Sequence, residues 1–219
     1  VNPFVSLALE LLASALAPPR CAACDIPVRM LAAFCPACAS THERAESSAE
    51  SLAACVYGGA VARAITRCKY ERRPDLARPL GDLLWRAVEP YAGAMSGALV
   101  VPVPLHPARL AERGFNQSAL LAGRVARSLG APMAPRALAR TTDTAHQANL
   151  DRAARLANVS AAFRVRHPAA VRGRLVLLVD DVRTTGATLD ACRSVLAGAG
   201  ASRIVSAVVA VAVASTPAR

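Results

Sequence analysis

Asp180 and Asp181 stand side by side at the end of an apolar run, Leu175 to Val179. Thr184-Thr185-Gly186-Ala187-Thr188 follows shortly after. Adjacent carboxylates accept hydrogen bonds from neighbouring hydroxyls, such as those of a sugar. A turn of small residues and hydroxyls that opens a helix presents backbone N–H groups to an anion. Sugar-binding acids beside a phosphate pocket suit a ribose 5-phosphate. A plainer explanation is a threonine-rich strand-to-helix turn with an Asp cap, although such a turn has little use for two adjacent acids.

A second constellation is Cys21-Ala-Ala-Cys24 and Cys35-Pro-Ala-Cys38, with ten residues between the pairs. Each C-x-x-C makes a knuckle that aims two thiolates at one point, and two knuckles complete a tetrahedron. Four thiolates leave no open position, so a structural Zn²⁺ is expected on Cys21, Cys24, Cys35 and Cys38; an iron–sulfur cluster is the lesser alternative. His42 would be a fifth ligand and is expected simply to be exposed. Cys55, Cys68 and Cys192 lie in apolar contexts and are expected in the core. A third stretch, Val101 to Gln117, leaves a strand through prolines and carries His106, Arg109 and Arg113. The two arginines are spaced i, i+4, so on a helical turn they share a face. Guanidinium forks suit phosphate oxygens, while a solvated basic face is the ordinary meaning of such a pair.

The elements that must position these groups follow from hydrophobic patterning. Leu175–Val179 is short, unbroken and apolar, as a strand buried on both faces of a parallel sheet must be. Its carboxyl end, where the acids fall, is where open α/β sheets bind ligands. Similar runs at Leu52–Tyr57, Ala98–Val103, Ala162–Val165 and Ile204–Ala214 predict further strands. Helices are predicted over 60–69, 76–88, 116–129 and 187–197, with Trp85 on an apolar face. Residues 39–51 are small and polar and form a linker. The expected organisation is residues 1–50 as an N-terminal helix and zinc module, and residues 51–219 as the main α/β domain.

The chain has 219 residues, enough for one full domain and an appendage, and 54 % hydrophobic residues, which argues against disorder. Its net charge of +11 attracts polyanions in general. The basic residues are scattered, however, and aromatics make up only 4 %, too few for a dense base-stacking surface. All of the 26 basic residues but Lys69 are arginine. No stretch predicts a membrane span, and the apolar segment Phe4–Ala17 lacks the basic flank of a signal peptide. Paired cysteines without a secretory context point to metal and to the cytoplasm. Neither G-x-G-x-x-G nor a Walker-type G-x-x-x-x-G-K occurs, which disfavours a dinucleotide-binding oxidoreductase.

VLLVDDVRTTGAT resembles the 5-phosphoribosyl-1-pyrophosphate (PRPP) signature of type I phosphoribosyltransferases. PVPLHPARLAERGFNQSALLA, Lys69-Tyr70, the cysteine knuckles and the segment from Arg140 through Gln147, Leu150, Arg155 and Asn158 to Phe163 are similar to the ComF family of competence-associated, phosphoribosyltransferase-like proteins. Arg183 departs from the pattern, since relatives often carry an aromatic residue there.

The resemblance implies a type I phosphoribosyltransferase-like parallel-sheet domain joined to a small N-terminal four-cysteine zinc module. It implies Asp180 and Asp181 at the ribose, with a catalytic role, and Thr184, Thr185, Gly186, Ala187 and Thr188 around the 5-phosphate. Arg109 and Arg113 would hold pyrophosphate, and Mg²⁺ would accompany PRPP. A lid over the ligand would draw Gln147, Arg152 and Arg155 from residues 141–157, where a plain polar loop is an equal reading. The family's implied role lies in natural transformation, with single-stranded DNA and the competence machinery as partners. Two functions stay open at this point: phosphoribosyl transfer to an unidentified acceptor, or a PRPP-sensing or single-strand-binding module without turnover.

Overall fold

A computed structural model describes residues 19–29, 32–142 and 162–213. Four strands form one parallel sheet: Ser51–Val56 (β1), Leu99–Pro102 (β2), Leu175–Arg183 (β5) and Arg203–Val211 (β6), in the order β1-β6-β5-β2. Leu138–Arg140 (β3) and Phe163–Val165 (β4) pair separately as an antiparallel ribbon. The parallel strands are apolar on both faces because both faces are covered, and the pleat divides their side chains between two cores.

One core receives Leu177 and Val179 of β5 and Val205, Ala207 and Val209 of β6. Three helices cover it: Gly59–Tyr70 (α2), Ala77–Val88 (α3) and Gln117–Leu129 (α5). Leu80, Leu84 and Val88 on α3, and Leu121 and Val125 on α5, recur at helical spacing and supply the facing stripe. Trp85 is half-buried and packs against this core. The other core receives Val176 and Leu178, covered by Ala187–Gly198 (α7) through Leu189, Cys192 and Leu196, and by Leu138 and Phe163 of the ribbon. Cys55, Cys68 and Cys192 are all buried, as their apolar contexts predict.

Neither edge strand is left bare. Arg44 bridges Cys55 in antiparallel fashion beside β1, and Met133 bridges Val100 in parallel beside β2. The polar stretch before β1 is therefore an edge cover as well as a connection. The described residues also include three short α-helices, Pro36–Ala39 (α1), Pro107–Arg113 (α4) and Pro168–Val171 (α6), and three single-turn 3-10 helices. α4 is the helical turn that places Arg109 and Arg113 one above the other. Asn116 caps α5 by accepting from the Ser118 N–H at 3.0 Å, and its amide donates to the Val103 carbonyl at 3.0 Å. That pair of bonds pins the start of α5 to the end of β2.

Two elements differ from the sequence expectation in an instructive way. β5 does not stop at Val179: it continues through both acids to Arg183, paired with β6 up to Arg183↔Val211. Its register with β2 ends at Pro102↔Val179. The acids thus lie within a strand, held by one neighbour after the other has turned away. His42 is half-buried, with its ring edge-on to Phe34 at 4.4 Å between centroids. Burial pushes its imidazole below the ordinary range, so it serves as an aromatic packing partner, not an exposed side chain.

Candidate functional site

The place where β2 leaves β5 is the centre of the site. Both carboxylates there are buried, Asp180 at 8 % and Asp181 at 5 % exposure. Asp180 Oδ1 accepts from the Ser118 hydroxyl at 2.7 Å and from the Asp181 N–H at 2.9 Å. Asp181 Oδ1 accepts from the Val182 N–H at 2.8 Å, and Oδ2 lies 2.5 Å from Lys69 Nζ. The pleat gives the two acids different company. Asp180 lies electrostatically near Cys192 of α7, and Asp181 near Cys68 of α2.

Burial pushes Asp180 up to about 7, and the adjacent Asp181 charge adds to this against the opposing Ser118 bond. Lys69 supplies Asp181 with a counter-charge. Paired carboxylates in unequal environments can take unequal chemical roles.

The Thr184–Thr188 turn follows immediately. Gly186 adopts φ +87°, the left-handed region that glycine enters at little cost, and this turns the chain from β5 into α7. Thr184 and Thr185 are exposed, while Gly186, Ala187 and Thr188 are half-buried. The Ala187 N–H points toward Thr185 Oγ1 at 3.5 Å. α7 begins here, so its first N–H groups and the positive end of its dipole lie at this turn. A shallow concavity of about 520 Å³ between α7 and the start of β6, lined by Arg193, Arg203 and Glu50, is separate from the acid pair.

α4 contributes the cations. Arg113 stacks 5.6 Å over the Tyr70 ring centroid and donates to Gln117 Oε1 at 2.5 Å. Arg109 pairs with Glu112 of its own helix at 3.0 Å. His106 caps α4, accepting from the Ala108 N–H at 3.4 Å. A chain of contacts therefore runs from Lys69 and Tyr70 to Arg113, Gln117 and Ser118, and back to Asp180 and Asp181. Arg109 is not part of it. Arg183 donates to the Ser51 hydroxyl. Gln147, Arg152 and Arg155 lie outside the described residues.

Lys69, Ser118 and Gln117 are participants to which the sequence motifs containing them assign no role. Lys69 had two available signals, its place in the Lys69-Tyr70 pair that carries the family resemblance and its singularity in an arginine-rich chain. Ser118 lies in the stretch that carries the resemblance, but its role depends on how α5 crosses the end of β5.

The four cysteines form the other constellation. The Sγ atoms of Cys21, Cys24, Cys35 and Cys38 all lie within 4.8 Å of one another, with Cys24 and Cys35 at 3.8 Å. A tetrahedron with Zn–S bonds of about 2.3 Å has S···S edges of about 3.8 Å, so the donor set fits zinc in both kind and spacing. Burial raises the Cys21 thiol, but the N–H groups of Cys35, Ala23 and Cys24 outweigh it and bring Cys21 down to about 6. Backbone donors to sulfur are what a thiolate knuckle requires.

Comparison with known proteins agrees with this picture. The phosphoribosyl transferase domain family matches residues 116–219, which include Ser118, the acid pair and the turn. The DNA utilization protein YhgH of Escherichia coli (strain K12) is 36 % identical over 143 residues, covering 64 % of this chain and 62 % of that protein. Competence protein F of Haemophilus influenzae is 33 % identical over 144 residues, covering 64 % and 63 %. The chain thus spans somewhat under two thirds of the length of these relatives. The crystal structure of TT1426 from Thermus thermophilus aligns over 65 % of this chain and 86 % of its own at 21 % identity, with a TM-score of 0.39, too loose a likeness to carry weight. Among the described residues no helix is long and apolar enough to cross a membrane. The second half of the chain, from Asn116 onward, is thus similar to the phosphoribosyl transferase domain, and the chain as a whole pairs a four-cysteine cluster with a parallel α/β sheet and is similar over 64 % of its length to proteins named for DNA utilization and competence.

Proposed function

We propose that this protein binds PRPP and transfers its phosphoribosyl group to an acceptor. The supporting observation is the buried acid pair on β5 immediately before the glycine turn that opens α7. Asp180 and Asp181 take the ribose hydroxyls. The Thr184–Thr188 turn takes the 5-phosphate on N–H groups and threonine hydroxyls. Arg113, and Arg109 once it leaves Glu112, hold the pyrophosphate from α4.

The reaction breaks the bond between C1 of the ribose and a pyrophosphate oxygen, and forms a bond from C1 to the acceptor. Positive charge gathers at C1 and the ring oxygen, and the two carboxylates stabilise it without being consumed. Mg²⁺, when bound, neutralises the leaving pyrophosphate. Mg²⁺ would arrive on the pyrophosphate, as divalent cations do on polyphosphates. The cysteine cluster holds a structural Zn²⁺, and residues 1–50 and 51–219 form the two units of the molecule. Paired cysteines that serve as metal ligands support a cytoplasmic location.

A second reading draws on the relatives named for DNA utilization and competence. In it the site senses PRPP without turnover, and the basic surface meets single-stranded DNA and the competence machinery. A turnover screen separates the two. PRPP is incubated with free bases or short oligonucleotides, with and without Mg²⁺, and pyrophosphate is assayed. Release that depends on an acceptor supports the transferase. PRPP binding without release, together with single-strand binding that weakens steeply with salt, supports the sensor.

A further inference from the structure

All but one of the chain's 26 basic residues are arginine, and the exception is Lys69, at 2.5 Å from Asp181. A chain that uses arginine wherever a cation is wanted has a lysine at the acid pair. The two cations differ in kind. Guanidinium is a rigid planar fork suited to holding one bidentate geometry, whereas the ammonium is a compact charge on a flexible stem with rotatable donors. A position that asks for lysine asks for a charge that can change partners.

The contacts describe such a charge. The Asp181 side chain is 7 % exposed and that of Lys69 is 20 % exposed, so neither charge is dispersed by water. Asp181 Oδ1 is satisfied by the Val182 N–H, and Oδ2 is occupied by the Lys69 ammonium at 2.5 Å. A ribose hydroxyl can reach Oδ2 only when the ammonium gives way. The residue after Lys69 is Tyr70, whose ring carries the Arg113 guanidinium. An ammonium leaving Oδ2 finds its next anion on the α4 side, where a leaving pyrophosphate would lie.

We propose that Lys69 is an exchangeable counter-ion: it neutralises Asp181 in the empty site and moves to the ligand's pyrophosphate once a ribose hydroxyl replaces it at Oδ2. This rests on the phosphoribosyl reading above. The exchange lets the site present a carboxylate to the ribose without a lasting unpaired charge in the interior, and it adds a cation to the leaving group only when ligand is present.

The test compares PRPP with ribose 5-phosphate, which has the hydroxyls and the 5-phosphate but no pyrophosphate. Calorimetric affinities are measured for the wild type, Lys69→Met, Lys69→Arg and Asp181→Asn. Losing one charge-assisted contact should weaken PRPP binding to Lys69→Met by ~10- to 100-fold. Ribose 5-phosphate should hold its affinity or gain, because no ammonium has to be displaced. Lys69→Arg should fall short of the wild type for PRPP, since the fork cannot serve both positions. Equal losses for both ligands in Lys69→Met would overturn the exchange and leave Lys69 as a structural partner of Asp181; so would unchanged PRPP affinity. If Lys69→Met fails to fold, the Lys69→Met/Asp181→Asn double variant, measured against Asp181→Asn, gives the same ratio without a buried unpaired acid. A wild type that binds neither ligand overturns the phosphoribosyl reading and the exchange together. A wild type that binds both, weakened by Asp181→Asn but not by Lys69→Met, overturns the exchange alone.

Discussion

Asp180 carries the most informative electrostatics in the molecule. Its carboxyl, raised to about 7 by burial and by Asp181, binds a proton in the folded chain at pH values where the unfolded chain has released it. Between about pH 4 and pH 7 the folded state therefore holds more protons, and stability falls as pH rises through that window. Asp180→Asn removes this loss, so thermal melts should show a larger gain in Tm at pH 8 than at pH 5. An equal gain at both would show that Asp180 titrates normally. Ser118 is the neutral partner that makes the buried acid tolerable, and Ser118→Ala should cost about 1–3 kcal/mol in urea denaturation by leaving Oδ1 short of a donor. The acids and the turn are legible in the sequence because they are contiguous and follow an apolar run. The roles of Lys69 and Ser118 are not, because they reach the acids from helices set elsewhere in the chain by packing.

At the scale of elements, α2 is held at both ends by the cysteine module. Thr41, three residues beyond Cys38, accepts from the Ala60 N–H at 3.0 Å and so caps the start of the helix. Gly59 beside it sits at φ +51°, and a Cβ there would lie 2.6 Å from Thr41 Oγ1. Near the other end, Arg67 donates to the Ala22 carbonyl at 3.2 Å and pairs with Asp25 and with Glu71. Gly59→Ala is expected to cost about 1–3 kcal/mol from the strained φ together with displacement of the cap, and Thr41→Val about 1 kcal/mol from loss of the cap alone. Chemical denaturation checks both, and equal stability of Gly59→Ala and wild type would contradict the close approach. Helix boundaries are legible to within a residue or two from their apolar stripes. The continuation of β5 through two acids is not, since carboxylates are poor strand formers and only pairing with β6 keeps them in register. The burial of His42 escapes sequence reasoning for a related cause: its aromatic partner, Phe34, lies across the knuckle.

Over the whole molecule, the knuckles and the sheet share one interior. Cys21, Ala22, Phe34 and Cys35 belong to the same buried cluster as Ile65 of α2, Leu84 of α3 and Leu177 of β5. Metal at the cysteines should therefore stabilise more than its own loop. Freshly reduced protein should carry about one zinc per chain, and a strong chelator should lower the melting temperature of the entire cooperative transition. Metal analysis finding none, or a melt indifferent to chelation, would contradict the four-thiolate site. The α/β class is evident from apolar runs alternating with helical stripes. The shared interior is not, because contacts between the knuckles and α2 leave no periodic trace in sequence.

The central claim, that the acid pair and the turn after it hold a phosphorylated ribose, is met most directly by titration calorimetry of PRPP into the wild type and into the Asp180→Asn/Asp181→Asn variant. Binding to the wild type that weakens at least ~10-fold in the variant, with the circular dichroism spectrum unchanged, is the predicted result. Equal affinity in a folded variant would contradict it.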